Sequence, residues 1–160
     1  MMSDVLTHFD SEGHALMVDV AAKTESVREA AARGFVQLSP AAFARVSEQG
    51  SPKGDLHAVA ELAGVMAAKR TADLIPLCHS ISLTSVRVQV VSQPSAHRFE
   101  VTAVARAKAA TGVEMEALTA VSVGCLALFD MLKALDRSMV IGGIEVLRKS
   151  GGVRGDYAKP

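Results

Sequence analysis

The sequence predicts an α+β domain in which an antiparallel sheet carries helices packed on one face. Three observations predict it. Segments 81–91 and 98–109 each alternate apolar with polar residues on either side of Ser92-Gln-Pro-Ser-Ala, as a hairpin with one buried face does. Residues 111–133 then form a run with no charge between Ala117 and Phe129, too long for a strand. Ahead of the hairpin, Ser39-Pro40 and Ser51-Pro52 have the Ser N-cap, Pro N1 form that opens helices.

Taken in order, residues 1–14 are polar and read as a loosely held arm, and 16–20 as a short strand. Segment 25–38 is ambiguous: its alanines favour helix, while its alternation of Arg28, Ala30, Ala32, Gly34 and Val36 against Val27, Glu29, Arg33 and Phe35 favours strand. A strand here completes the order strand, helix, strand, strand, helix, strand, which is the ferredoxin-like plan. Helices are expected over 41–49, ended by Gly50, and over 56–70. Pro76 stops the connector 73–79. After the hairpin, Thr111 and Glu114 have the spacing of a capping box. Residues 139–147 are the last strand, and Lys149-Ser-Gly-Gly a glycine-rich close.

Composition narrows the function. A chain of 160 residues is most simply one domain, able to bury about 70% of its unfolded surface without disulfides or metals. Hydrophobic residues are 49% but aromatics 4%, with no Trp, so Ala, Val and Leu fill the interior. An apolar excess in so small a chain points to burial between subunits. Lys and Arg number 17, as do Asp and Glu, so no overall field draws nucleic acid or a membrane surface. Cys78 and Cys125 are the only cysteines, too few for a disulfide framework, and a reducing, cytoplasmic setting is the simplest reading. Asp4, Asp10, Glu12 and Asp19 interrupt the first twenty residues, which excludes a secretory signal.

The charged groups sit at the ends of elements. Asp130 and Lys133 share a helix face, and Glu116 returns to nearly that face fourteen residues earlier. The separation along the axis is about 21 Å, so one chain cannot bring Glu116 and Asp130 to the same atoms. Either the ligand is long or two chains share the site, and an apolar middle on all sides of the wheel favours two chains. That middle is also short of the roughly 20 apolar residues a bilayer span needs. On spacing alone, Asp130 with Lys133 reads first as a surface i,i+3 ion pair worth about 0.2–0.5 kcal/mol. Lys53 precedes a helix N-terminus, where a cation asks either for an anionic ligand or for full solvation. Cys78-His79 lacks a second Cys or His at ligand spacing, so a loop hydrogen-bonding role fits better than a metal. Lys149-Ser-Gly-Gly has the parts of a phosphate cradle without P-loop spacing. Together Lys53, Lys69, Arg70, Lys133 and Lys149 concentrate cations in a neutral chain, which suits a multiply charged anion.

Five blocks resemble a known family: Lys53-Gly-Asp, Ala67-Ala-Lys-Arg-Thr, Asp73-Leu-Ile-Pro-Leu-Cys-His, Thr111-Gly-Val-Glu-Met-Glu-Ala-Leu-Thr-Ala and Asp130-Met-Leu-Lys. They are similar to the cyclic pyranopterin monophosphate synthases, the MoaC family of molybdenum cofactor biosynthesis. The likeness extends from Leu6-Thr-His-Phe and Met17-Val-Asp-Val to Lys149-Ser-Gly-Gly. It implies a ferredoxin-like subunit, a hexamer built as a trimer of dimers, and active sites between subunits. It implies a lyase that rearranges a GTP-derived cyclic dihydroguanosine triphosphate to cyclic pyranopterin monophosphate and releases pyrophosphate, with neither metal nor cofactor. By motif, Asp130 is the acid/base residue, assisted by Lys133 and Lys53. Leu77, Cys78, His79, Met115 and Glu116 match substrate-binding segments, and Glu114, Lys69, Arg28 and Lys149 are further ligand contacts. The chain departs from the family at Val153-Arg154-Gly155-Asp156, where Lys-Ser-Gly-Asp is usual. The rival expectation is a non-catalytic ferredoxin-like oligomer that binds a purine nucleotide at a subunit interface.

Overall fold

The computed structural model describes residues 8–49, 54–152 and 155–160. Its elements are β1 (Ser26–Gln37), α1 (Pro40–Gln49), α2 (Leu56–Ala68), α3 (Thr71–Leu74), β2 (Leu83–Gln93), β3 (Arg98–Ala109), α4 (Glu114–Leu132), β4 (Val140–Ser150) and β5 (Tyr157–Ala158). The five strands form one antiparallel sheet in the order β2-β3-β1-β4-β5, so the first four strands have the ferredoxin-like arrangement. The ambiguity at 25–38 resolves as strand because β1 is a central strand. It pairs with β3 from Ser26↔Ala109 to Gln37↔Arg98 and with β4 on its other side. Interstrand bonds on both edges outweigh the helix preference of its alanines.

Alternation then decides the faces. Ala30, Ala32 and Val36 of β1, Phe99, Val101, Ala103, Ala105 and Ala107 of β3, and Val88 and Val90 of β2 are all buried in one core. α2 and α4 cover that face. A Cβ at Gly64 would stand 2.8 Å from the Ala120 carbonyl, and one at Gly124 would stand 3.5 Å from the Ala60 carbonyl. The two glycines therefore let the helices approach closely, and the crossed pairing makes α2 antiparallel to α4. The end of α2 lies beside the start of α4, and its first turn beside α4's last turns.

Several expectations are corrected. Residues 16–20 form no strand; only an isolated bridge, Phe9↔Ala15, occurs nearby. α2 is capped by Asp55, whose Oδ1 accepts from the Ala58 N–H at 3.0 Å; the Ser51-Pro52 signal lies outside the described residues. α2 ends at Ala68, and the connector begins with the helical turn α3, where the buried Thr71 hydroxyl donates to the Ala68 carbonyl. The last strand runs on to Ser150, so Lys149 belongs to β4 and not to a loop. α4 has the length and hydropathy to cross a bilayer, contrary to the expectation from its uncharged middle. Its packing on the sheet and on α2 identifies it instead as the core helix. One chain does not cover it on all sides: Leu126 is 57% exposed, and Leu62 and Met66 of α2 are exposed with it.

Candidate active site

The first turn of α4 gathers most of the residues expected to bind ligand. Thr111 and Glu114 do not close a capping box: Val113 is the N-cap, with no side-chain bond. The Glu114 carboxylate instead accepts from Lys149 Nζ at 2.8 Å. Pairing with Lys149 joins two opposite full charges, whereas the cap offers the carboxylate only the partial charge of a backbone N–H, so β4 takes the carboxylate from the cap. Two positions on, Glu116 is only 3% exposed, and its buried Oε2 meets no donor among the described residues. Burial, with the Glu114 charge adding to it, raises its carboxyl above the usual range. The half-buried Cys78 thiol is likewise raised, by burial and then by the Glu116 charge, as expected where the Leu77–Cys78–His79 connector runs against this turn. His79 Nε2 donates to the Val18 carbonyl at 2.7 Å, tying the segment before β1 to the same place.

Arg28 enters from β1. Its Nε and Nη2 donate to the Ala109 and Ala110 carbonyls, each at 3.2 Å, and Gly152 closes against its guanidinium. Much of its hydrogen-bonding capacity thus goes to fixing the loop before α4. Lys69, the exposed C-cap of α2, falls at this end by the antiparallel pairing. Met115 faces outward at 36% exposure. A cleft of about 400 Å³ opens beside Glu114 and Lys149 and is also lined by Glu145, Val146, Tyr157 and Lys159. The sequence reading missed the last two because a two-residue strand leaves no periodic signal.

Asp130 and Lys133 lie at the other end of α4. Their ion pair is 2.6 Å long, with side chains 63% and 55% exposed. Lys133 also borders a cleft of about 490 Å³ with Phe129, Ala134 and Arg137. Arg137 was missed, although its i,i+4 spacing from Lys133 is visible in the sequence. Asp136, just beyond the helix, accepts from Ser138 Oγ at 2.6 Å, the Ser138 N–H at 2.8 Å and the Ser39 N–H at 2.8 Å. These bonds, the Ser138 hydroxyl foremost, hold its carboxyl down at about 2. Lys53, the third expected catalytic residue, lies outside the described residues, as do Val153 and Arg154. Since α4 is unbroken from Glu114 to Leu132, its two charged ends stay about 21 Å apart within one chain.

A protein-family model described as "MoaC family" matches residues 17–152, which include both ends of α4. The chain belongs to the MoaC family. Among MoaC-family relatives, a cyclic pyranopterin monophosphate synthase from Brucella ovis is 53% identical over 157 residues, covering 98% of this chain and 95% of the relative. One from Parvibaculum lavamentivorans is 52% identical over 157 residues and covers 98% of both chains. One from Brucella canis is 52% identical, covering 98% of this chain and 95% of the relative.

Proposed function

We infer that this MoaC-family chain is a lyase that converts (8S)-3′,8-cyclo-7,8-dihydroguanosine 5′-triphosphate to cyclic pyranopterin monophosphate and releases pyrophosphate, an early step of molybdenum cofactor biosynthesis. The observation that carries the reading is the buried Glu116 carboxyl, unpartnered at Oε2, beside the Leu77–Cys78–His79 connector in a family whose relatives bear that enzyme's name. A buried acceptor without a donor is costly, and a ligand N–H relieves it. The guanine-like edge of the substrate supplies such donors, so Glu116 binds that edge while Leu77, Cys78, His79 and Met115 wall the ring. Lys69, Arg28 and Lys149 face the phosphates, with Glu114 holding Lys149 until they arrive.

Opening the purine-derived ring and closing the pyran move protons between heteroatoms. Asp130 takes and returns them, with Lys133 beside it and Lys53 assisting. Lysines placed around the departing pyrophosphate stabilise the charge that builds on it. Residues 1–160 act as one domain, and two chains complete each site: the Asp130 end of one chain meets the Glu116 end of another, within a cytoplasmic homohexamer built as a trimer of dimers. The exposed apolar side chains Leu62, Met66 and Leu126 support such an association. The reaction uses neither metal nor cofactor.

The test supplies the purified protein with the cyclic dihydro-GTP intermediate and follows pyrophosphate together with a fluorescent pterin derivative. Release of both is expected. Tight binding without release of either would favour a non-catalytic nucleotide-binding oligomer.

A further inference from the structure

The last six residues return along the sheet edge and build a wall of the cleft beside Glu114. Tyr157 pairs with Lys149 and Ala158 with Arg148. The Lys159 N–H donates to the Leu147 carbonyl at 2.7 Å, and the Gly151 N–H donates to Asp156 Oδ1 at 3.1 Å. Backbone bonds thus pin the returning segment. It brings Tyr157 and Lys159 into the cleft of about 400 Å³ that Glu114 and Lys149 also line, a volume in the range of small-molecule sites. Both lie beyond residues 17–152, where the family model matches.

The chemistry of the cleft is specific. It holds two lysines, each matched to a carboxylate: Lys149 to Glu114 and Lys159 to Glu145. Glu145 also pairs with Arg33 at 2.7 Å, so two cations share that carboxylate and both ammonium groups are held in place. A phosphate group entering the cleft can replace a carboxylate as partner, since N–H donors on a cation bond phosphate oxygens strongly. The Tyr157 hydroxyl adds a neutral donor of the kind that phosphate oxygens accept.

We propose that Tyr157 and Lys159 are further substrate-binding residues and that, with Lys149, they hold the pyrophosphate portion of the substrate. The proposal rests on the lyase reading for the identity of that substrate. It assigns the β5 segment to phosphoryl oxygens that are already charged in the bound substrate and gives it no part in proton transfer, so it binds ground state and transition state alike and its effect falls on KM and not on kcat.

The experiment compares wild type with Lys159→Ala and Tyr157→Phe, both conservative of the backbone pairing, by pyrophosphate-release kinetics and by calorimetric titration with inorganic pyrophosphate. For Lys159→Ala, KM and the pyrophosphate Kd are each expected to rise about tenfold, as loss of one charge-assisted bond predicts. Tyr157→Phe is expected to raise both by a smaller factor, with kcat within about twofold of wild type for each variant. Unchanged KM and unchanged pyrophosphate Kd in both variants overturn the proposal. So does a fall in kcat at constant KM. If wild type releases no pyrophosphate from the intermediate yet binds pyrophosphate in a Lys159-dependent way, the anion site stands and the lyase reading falls.

Discussion

At one end of α4, Glu116 is buried with an oxygen that meets no donor. At the other, Asp130 stands in solvent, its side chain 63% exposed and paired with Lys133. The same helix thus presents one carboxyl that already bears a desolvation cost and one that bears almost none. The difference teaches what a single chain can complete. The Glu116 end has its walls: the Cys78 connector, Arg28, the Glu114–Lys149 pair and the β5 segment. The Asp130 end has the groups proposed for proton transfer but, among the described residues, stays largely exposed, and exposed charges in water act weakly on a substrate. A second chain laid over the exposed apolar face of α2 and α4 would supply cover.

The largest effect is expected at the exposed end. Asp130→Asn keeps the shape and removes the proposed proton acceptor, so turnover should fall by about 100- to 10,000-fold while ligand still binds. Mixing this variant with Glu116→Gln then probes the comparison directly. At substrate well below KM, where both variants turn over slowly, random pairing restores up to about a quarter of the wild-type sites if each site draws its two ends from different chains. Steady-state pyrophosphate release after subunit exchange would show it. No recovery after demonstrated exchange would mean that one chain supplies both ends.

Leu126→Asp places a charge on the exposed apolar stripe and leaves both ends of α4 intact. It should lower the mass seen by light scattering at micromolar concentration and bring turnover down toward the Asp130→Asn level. Full activity in a monomer would contradict a shared site.

Glu116→Gln alone should act through binding, raising KM by about 10- to 100-fold through loss of a charged hydrogen bond. Its stability effect has the opposite sign. Burial raises the Glu116 carboxyl in the folded chain, so the folded state holds its proton more firmly than the unfolded state does. Stability is then lost as pH rises through the ordinary carboxyl value toward the raised one. The amide has no such loss, so the variant should melt higher at pH 7. A lower melting temperature at pH 7 would show that the carboxyl is satisfied in the free protein.

The parts of this arrangement that the sequence revealed are those set by local period. Val86, Val88 and Val90 against Phe99, Val101 and Ala103 made the hairpin visible, and the uncharged run from Ala117 made α4 visible. What stayed hidden depends on partners far along the chain. Thr111 and Glu114 have correct capping-box spacing, yet Lys149, 35 positions away, takes the carboxylate. Segment 16–20 has strand-like residues but finds no neighbouring strand among the described residues. The placing of Glu116 beside Cys78, 38 positions earlier, is equally long-range, and two tail residues at the sheet edge carry no pattern at all. Site identity came largely from the motif blocks. Their division between two ends of one helix was visible in spacing, because helix rise alone sets the distance.

The smallest effect concerns how the exposed end is held. Asp136 clamps the turn after Lys133 to Ser39, at the junction of β1 and α1, and its carboxyl sits at about 2 against an ordinary 3.8. Because the folded value is the lower one, its stabilising contribution is present above about pH 4 and is lost as pH falls toward 2. Asp136→Asn should therefore cost about 2 kcal/mol at pH 7, with a flatter stability profile between pH 4 and 2 and a difference from wild type that disappears at the acid limit. The clamp touches only this end. Amide exchange should quicken over residues 133–138 in the variant while that over 114–120, held by Glu114 and Lys149, keeps pace with wild type. Equal acceleration at both ends would mean that α4 transmits the disturbance as a rigid rod, and that the two ends are not held independently.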